Sequence, residues 1–220
     1  MSPRAVNGER APRIAVLDYG IGNLRSAQKA LEHVGADAVL TADHTEIAAA
    51  DAVVLPGVGA FGACMDALRA AGLEDEGRAA VASGRPFLGI CVGMQMLFDA
   101  SEEDPHAVGL GVIPGTVRWL GDELPRPQMQ WNQLAATDAH RDDPLLAGLG
   151  ESPWMYFVHS LHGVPADPSV VAATCDYGGV VNAAFRLGNV FATQFHPEKS
   201  GESGLALLAA FVRLAGRVPA

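Results

Sequence analysis

Apolar residues in the first hundred positions gather into short unbroken runs: Ile14-Ala-Val-Leu17, Ala38-Val-Leu40, Ala52-Val-Val-Leu55 and Phe87-Leu-Gly-Ile90. Runs this short, apolar at nearly every position, predict strands buried on both faces of a sheet. Between them Leu24, Ala27, Leu31 and Val34 recur at helical spacing, with Gly35 placed as a stop. Residues 45–50 predict a short helix, and residues 60–83 a longer helical stretch broken near Gly72. The resulting order, βαβαβαβα, implies a parallel sheet covered by helices on both faces.

The pattern changes after residue 100. Short strands are predicted at 116–119, 129–131, 154–158, 170–174, 181–185 and 190–195, separated by turns such as Asp176-Tyr-Gly-Gly179 and Leu187-Gly-Asn189. Such hairpin-like spacing predicts an antiparallel extension of the sheet, closed by an amphipathic helix over 203–214. No linker or internal repeat divides the chain. Residues 13–220 therefore read as one domain, preceded by a disordered tail over 1–12 that carries Arg4, Glu9 and Arg10 and no apolar secretory core.

Composition narrows the function. Hydrophobic residues make up 49% of the 220 and charged residues 18%, enough for a large core. The net charge of −10 argues against a nucleic-acid partner. No apolar run approaches the roughly 18 residues of a membrane span. Three cysteines, Cys64, Cys91 and Cys175, are odd in number and widely spaced, which fits a reducing, cytoplasmic setting and neither a disulfide framework nor a metal site.

One cysteine stands apart. In Pro86-Phe-Leu-Gly-Ile-Cys-Val-Gly-Met-Gln-Met-Leu97, Cys91 lies at a predicted strand-to-helix corner with Gly89 and Gly93 two residues to either side. That spacing suits a nucleophile elbow, whose tip is strained and exposed and whose small neighbours let strand and helix approach. The free N–H groups at the following helix start would favour a thiolate. A packing cysteine is the bland alternative, and it is the default for Cys64 and Cys175. A thiol nucleophile needs a base. Solvated positions explain His33, His44, His106 and His140, whereas His159 and His162 follow a strand end and are candidates to line a pocket. His196 ends an apolar strand, and Glu198, across Pro197, is placed to orient its ring.

The segments Gly89-Ile-Cys-Val-Gly-Met-Gln95 and Gln194-Phe-His-Pro-Glu-Lys-Ser200 resemble the catalytic signatures of class I glutamine amidotransferases. Asp18-Tyr-Gly-Ile-Gly-Asn-Leu24, Leu55-Pro-Gly-Val-Gly-Ala-Phe-Gly62 and Tyr156-Phe-Val-His-Ser160 narrow the likeness to the glutaminase subunits of imidazole glycerol phosphate synthase, from Ile14 to the C-terminus. The resemblance implies a three-layer, flavodoxin-like α/β fold with a mostly parallel sheet. It implies a Cys91-His196-Glu198 triad that hydrolyses glutamine through a thioester. Oxyanion donors would come from Val92 and from Gly57-Val58-Gly59, while Gln95, His159 and Ser160 would hold the substrate. No cofactor and no metal are implied. Ammonia would pass to a separate (β/α)8-barrel cyclase subunit in a heterodimer, faced by Asn23, Trp131, Tyr156 and Lys199.

Two departures stand out. Pro127-Gln-Met-Gln-Trp-Asn132 carries Gln130 where the family has glycine, which puts local loop geometry in question, and Leu161 replaces the usual tyrosine after Ser160. Three other functions compete. Met94 and the Tyr19-to-Leu24 segment count against an anthranilate-synthase-type pairing. The several motifs count against a lone thiol hydrolase or protease, and the intact triad against a catalytically dead binding module. Gly20-Ile-Gly22 is not a dinucleotide fingerprint, because Arg25 stands at the last glycine's place.

Overall fold

The computed structural model describes residues 10–217. The expected N-terminal tail lies outside them up to residue 9. Residues 10–12 are tied to the sheet: the Arg10 guanidinium pairs with Asp51, and the Pro12 carbonyl accepts from the Asp37 N–H.

The first half follows the predicted alternation: β1 (Arg13–Leu17), α1 (Leu24–His33), β2 (Asp37–Thr41), α2 (His44–Ala49), β3 (Ala52–Gly57), α3 (Phe61–Ala70), α4 (Glu74–Ala82) and β4 (Phe87–Cys91). Every residue of β3 and of β4 is buried. Burying each Val, Leu, Ile or Phe side chain there is worth about 1.5–3 kcal/mol, which explains why these runs carry no polar position. The long helical stretch breaks at Gly72, whose φ of +70° a glycine tolerates.

Beyond Cys91 follow α5 (Val92–Gln95), β5 (Phe98–Ser101), β6 (Asp104–Val108), β7 (Ile113–Trp119), β8 (Gln128–Gln133), β9 (Ala135–Ala136), β10 (Trp154–His159), β11 (Leu161–Pro165), β12 (Val171–Asp176), β13 (Val180–Leu187), β14 (Val190–Thr193) and α6 (Gly201–Ala215). The large sheet runs β2-β1-β3-β4-β14-β13-β12-β9. Its pairs are parallel from β2 to β14, and β13, β12 and β9 continue it antiparallel, as the turn spacing predicted. The remaining strands build two small sheets, β10-β8 and β11-β7-β5-β6, rather than lengthening the main one. Helix α1 packs against α6 and α2 against α4. Strand β14 pairs with β4 in register Thr193↔Ile90, so the residues after Thr193 and the last residue of β4 emerge at one sheet edge.

Some local expectations change. The helix after Cys91 is a single turn, because the chain bends into β5 at Phe98, so its N–H groups remain but a long helix dipole does not. His106 lies in β6 rather than a loop, and the strand predicted over 190–195 stops at Thr193. Gln130 is an exposed strand residue paired with Phe157, and an extended backbone accepts a side chain there without strain. Among the described residues no helix is long and apolar enough to cross a membrane.

Candidate active site

Cys91 has φ 55° and ψ −116°, the one positive φ among described non-glycine residues. Backbone strain of this kind persists only where the surroundings enforce it. Here they do. A Cβ on Gly93 would collide with the Leu55 carbonyl oxygen, and one on Gly57 would lie 2.6 Å from the Gly93 nitrogen. Gly57 stands beside Cys91 in the β3–β4 register, so two glycines let the elbow press against its neighbouring strand. Two donors hold the end of β3 and the loop that follows it. Tyr19 Oη donates to the Pro56 carbonyl at 2.6 Å, and the Cys64 thiol donates to the Val58 carbonyl at 3.2 Å.

His196 arrives from the end of β14, and its Nδ1 lies 2.8 Å from Glu198 Oε1, with both side chains 2% exposed. Burial disfavours a charged ring, but the Cys91 sulfur on one side and Glu198 on the other outweigh it and hold the His196 pKa above its ordinary value. The main chain is pinned as well. The His196 N–H donates to the Tyr156 carbonyl at 3.0 Å, and Ser200 Oγ donates to the His196 carbonyl while accepting from the Tyr156 N–H. A ring held by three such bonds cannot swing away from the sulfur.

The cleft in front of this pair encloses about 570 Å³ at the carboxyl ends of β1, β3, β4 and β14. Open α/β sheets bind their ligands at such an edge. Cys91, Val92, Val58, Gly59 and Gln95 line it together with His159, Ser160, Asn23 and Lys199. Gly57 and Glu198 stand behind the lining, and His162 is outside it. His159 is neutral at pH 7: burial pushes its pKa down to about 4, and its Nδ1 lies 2.7 Å from the Leu161 carbonyl. The Leu161 side chain, where the family has tyrosine, is buried and brings no polar group.

A model of the family "Glutamine amidotransferase class-I" matches residues 15–214. The chain belongs to the class-I glutamine amidotransferases. The resemblance read from its motifs is borne out, and the amidotransferase has many relatives. It is 52% identical to an "Imidazole glycerol phosphate synthase subunit HisH" of Syntrophotalea carbinolica, covering 90% of this chain and 98% of the relative. It is 50% identical to the same-named subunit of a Synechococcus strain, covering 94% and 95%. Among solved structures, one described as a glutamine amidotransferase superposes with TM-score 0.72 at 25% identity, covering 92% of this chain and 98% of that one. PurLQS from Thermotoga maritima superposes with TM-score 0.71 at 22% identity, covering 93% and 99%, which supports the fold.

Sequence reasoning missed two residues of this amidotransferase's site. Glu103 lines the cleft, and its Oε2 accepts from the Phe61 N–H at the start of α3. It sits in the polar stretch Ser101-Glu-Glu-Asp104, where nothing in the spacing sets it apart. Gln194 is fully buried with its Nε2 3.8 Å from Cys91 Sγ. It opens the segment that carries His196, so proximity to that motif was the available signal.

Proposed function

We propose that this chain is the ammonia-releasing subunit of an imidazole glycerol phosphate synthase, and that residues 13–220 act as one glutaminase domain. The Cys91 thiolate attacks the side-chain amide carbon of glutamine. His196 gives its proton to the departing ammonia, then takes one from the water that cleaves the glutamyl thioester, and Glu198 keeps the imidazole in the required orientation. The Val92 N–H and an N–H of the Val58-Gly59 segment receive the tetrahedral oxyanion. Gln95, His159 and Ser160 position the substrate. Glu103, the one carboxylate in the cleft lining, suits the α-ammonium group of glutamine.

The observation that carries this reading is the His196–Glu198 pair at 2.8 Å beside a cysteine held at positive φ. The relatives are named as subunits, and one surface here fits a partner. Met129, Trp131 and Trp154 are 66%, 48% and 52% exposed on the β8–β10 sheet. Trp131 meets Tyr156 edge-on at 6.0 Å, and Val158 of the same sheet reaches the cleft. Adjacent exposed aromatic and thioether side chains of this kind mark an interface. We assign Asn23, Trp131, Tyr156 and Lys199 to the side that faces a (β/α)8-barrel cyclase. The test is a glutaminase assay of the purified chain with and without that cyclase and its nucleotide ligand. Glutamate release that rises on addition of both supports the reading, and no release under any condition refutes it.

A further inference from the structure

The Gln95 carboxamide leads from the cleft to a side chain that the mechanism above leaves unused. Gln95 Nε2 donates to the Leu161 carbonyl at 3.4 Å and to Gln194 Oε1 at 3.1 Å; Gln194 Nε2 in turn donates to Cys91 Sγ at 3.8 Å. Gln194 is 0% and Gln95 3% exposed, so neither amide exchanges these partners for water.

The direction of this chain is forced. A main-chain carbonyl only accepts, so Gln95 must turn its NH₂ group toward Leu161. The second proton of that group then requires an oxygen from Gln194. Gln194 is left with its own NH₂ group for the sulfur. His159 strengthens the anchor, because its Nδ1 donates to the same Leu161 carbonyl at 2.7 Å. Two interior amides that would otherwise be free to flip thus have one consistent orientation, and it ends on an N–H aimed at the thiol.

We propose that Gln194 is a further catalytic residue, whose buried N–H donates to the Cys91 sulfur and favours the thiolate. The same bond serves twice. It stabilises the anion before attack, and it stabilises it again when water attacks the thioester carbon and the electron pair of the carbon–sulfur bond returns to sulfur. The proposal rests on Cys91 being the nucleophile. Other ionisable groups around that sulfur are His196 from the end of β14, Cys64 of α3, Tyr19 after β1, and Glu103, His159 and Lys199 of the cleft lining. The variants below leave all six in place.

The experiment follows iodoacetamide alkylation of the Cys91 peptide in the folded full-length chain by mass spectrometry from pH 6 to pH 10. Gln194→Met keeps the length of the side chain and removes the donor. It should slow alkylation at pH 7 about tenfold, the size of one hydrogen bond to a charged group, and move the rate profile to higher pH. Gln194→Glu, which faces the sulfur with a carboxylate, should slow it further. Gln95→Met leaves Gln194 in place but removes the group that sets its direction, and should move the profile the same way by a smaller step. A purely packing role for Gln194 would change the unfolding midpoint and leave the profile where it was. Unmoved profiles in natively folded variants overturn the proposal. Failure of a glutamine-analogue diazo-ketone to label Cys91 in the unmodified chain would instead overturn the nucleophile assignment.

Discussion

Burial raises the Cys64 and Cys175 thiols to about 11 each, so neither ionises near neutral pH. Cys91, though only 4% exposed, lines the cleft beside His196. A glutamine-analogue diazo-ketone is therefore expected to label Cys91 alone, and peptide mass mapping at pH 7.5 reads it directly. Label on Cys64 or Cys175 would contradict the assignment. The partners of His196 differ in weight. Removing the ring leaves the thiol without a base, whereas Glu198→Gln costs alignment and charge support. His196→Ala is expected to abolish glutamine turnover, and Glu198→Gln to lose roughly 10- to 100-fold less, as unequal triad members do; steady-state rates with the cyclase present decide the order. His159 gives a stability test. Its folded pKa near 4 lies below the unfolded value near 6.5, so the unfolded chain binds the extra proton between those values. Its contribution is intact above pH 6.5 and is lost as pH falls toward 4, on the order of 3 kcal/mol in all. Denaturant titrations from pH 7 to pH 4.5 should show a shallower loss in His159→Gln than in the parent chain.

The elbow is where sequence and structure agree most closely, and its geometry explains why. Gly93 has no room for a methyl group against the Leu55 carbonyl, whereas a methyl group on Gly121 would meet nothing within 4 Å, which makes that position a control. Gly93→Ala is expected to cost about 3 kcal/mol or more in urea unfolding, and Gly121→Ala far less. The β1–β4 half was legible because a doubly covered strand tolerates only apolar residues, so its pattern is unbroken. Strands β5, β6 and β11 were not. Asp104-Pro-His-Ala-Val108 is mostly exposed and contains a proline, and Leu161-His-Gly-Val-Pro165 is buried at alternate positions only. Short strands covered on one face look like loops in sequence. The proposed triad was readable because Cys91, His196 and Glu198 sit in compact motifs. Glu103 and the direction of the Gln95–Gln194 amides depend on contacts between distant segments, which spacing does not encode.

Coupling belongs to the assembled protein. The Pro56 and Val58 carbonyls are held by Tyr19 and Cys64, which leaves the peptide between Gly57 and Val58 as the turning point of the loop beside the sulfur. If that peptide withholds its N–H until the partner is loaded, the isolated chain lacks one oxyanion donor, worth about 10²–10³ in rate. The chain alone is expected to release glutamate at least 100-fold more slowly than the complex with nucleotide bound, measured by coupled glutamate oxidation. Cys91→Ser in that complex should abolish product formation from glutamine and preserve it from added ammonium salts. Loss of both, with the complex intact, would mean that this chain does more than supply ammonia.

Strand β14 joins the parallel and antiparallel parts of the large sheet, and it is made almost last. Until residues 190–193 leave the ribosome, β4 and β13 are two open edges with no strand between them. A nascent or truncated chain ending before Val190 already carries the elbow but neither His196 nor Gln194. Its thiol is idle, and its unpaired edges invite aggregation. On the proposed mechanism glutamine cleavage waits for this late strand: the pairing that completes the sheet also brings His196 to Cys91, so a partly folded copy wastes no substrate.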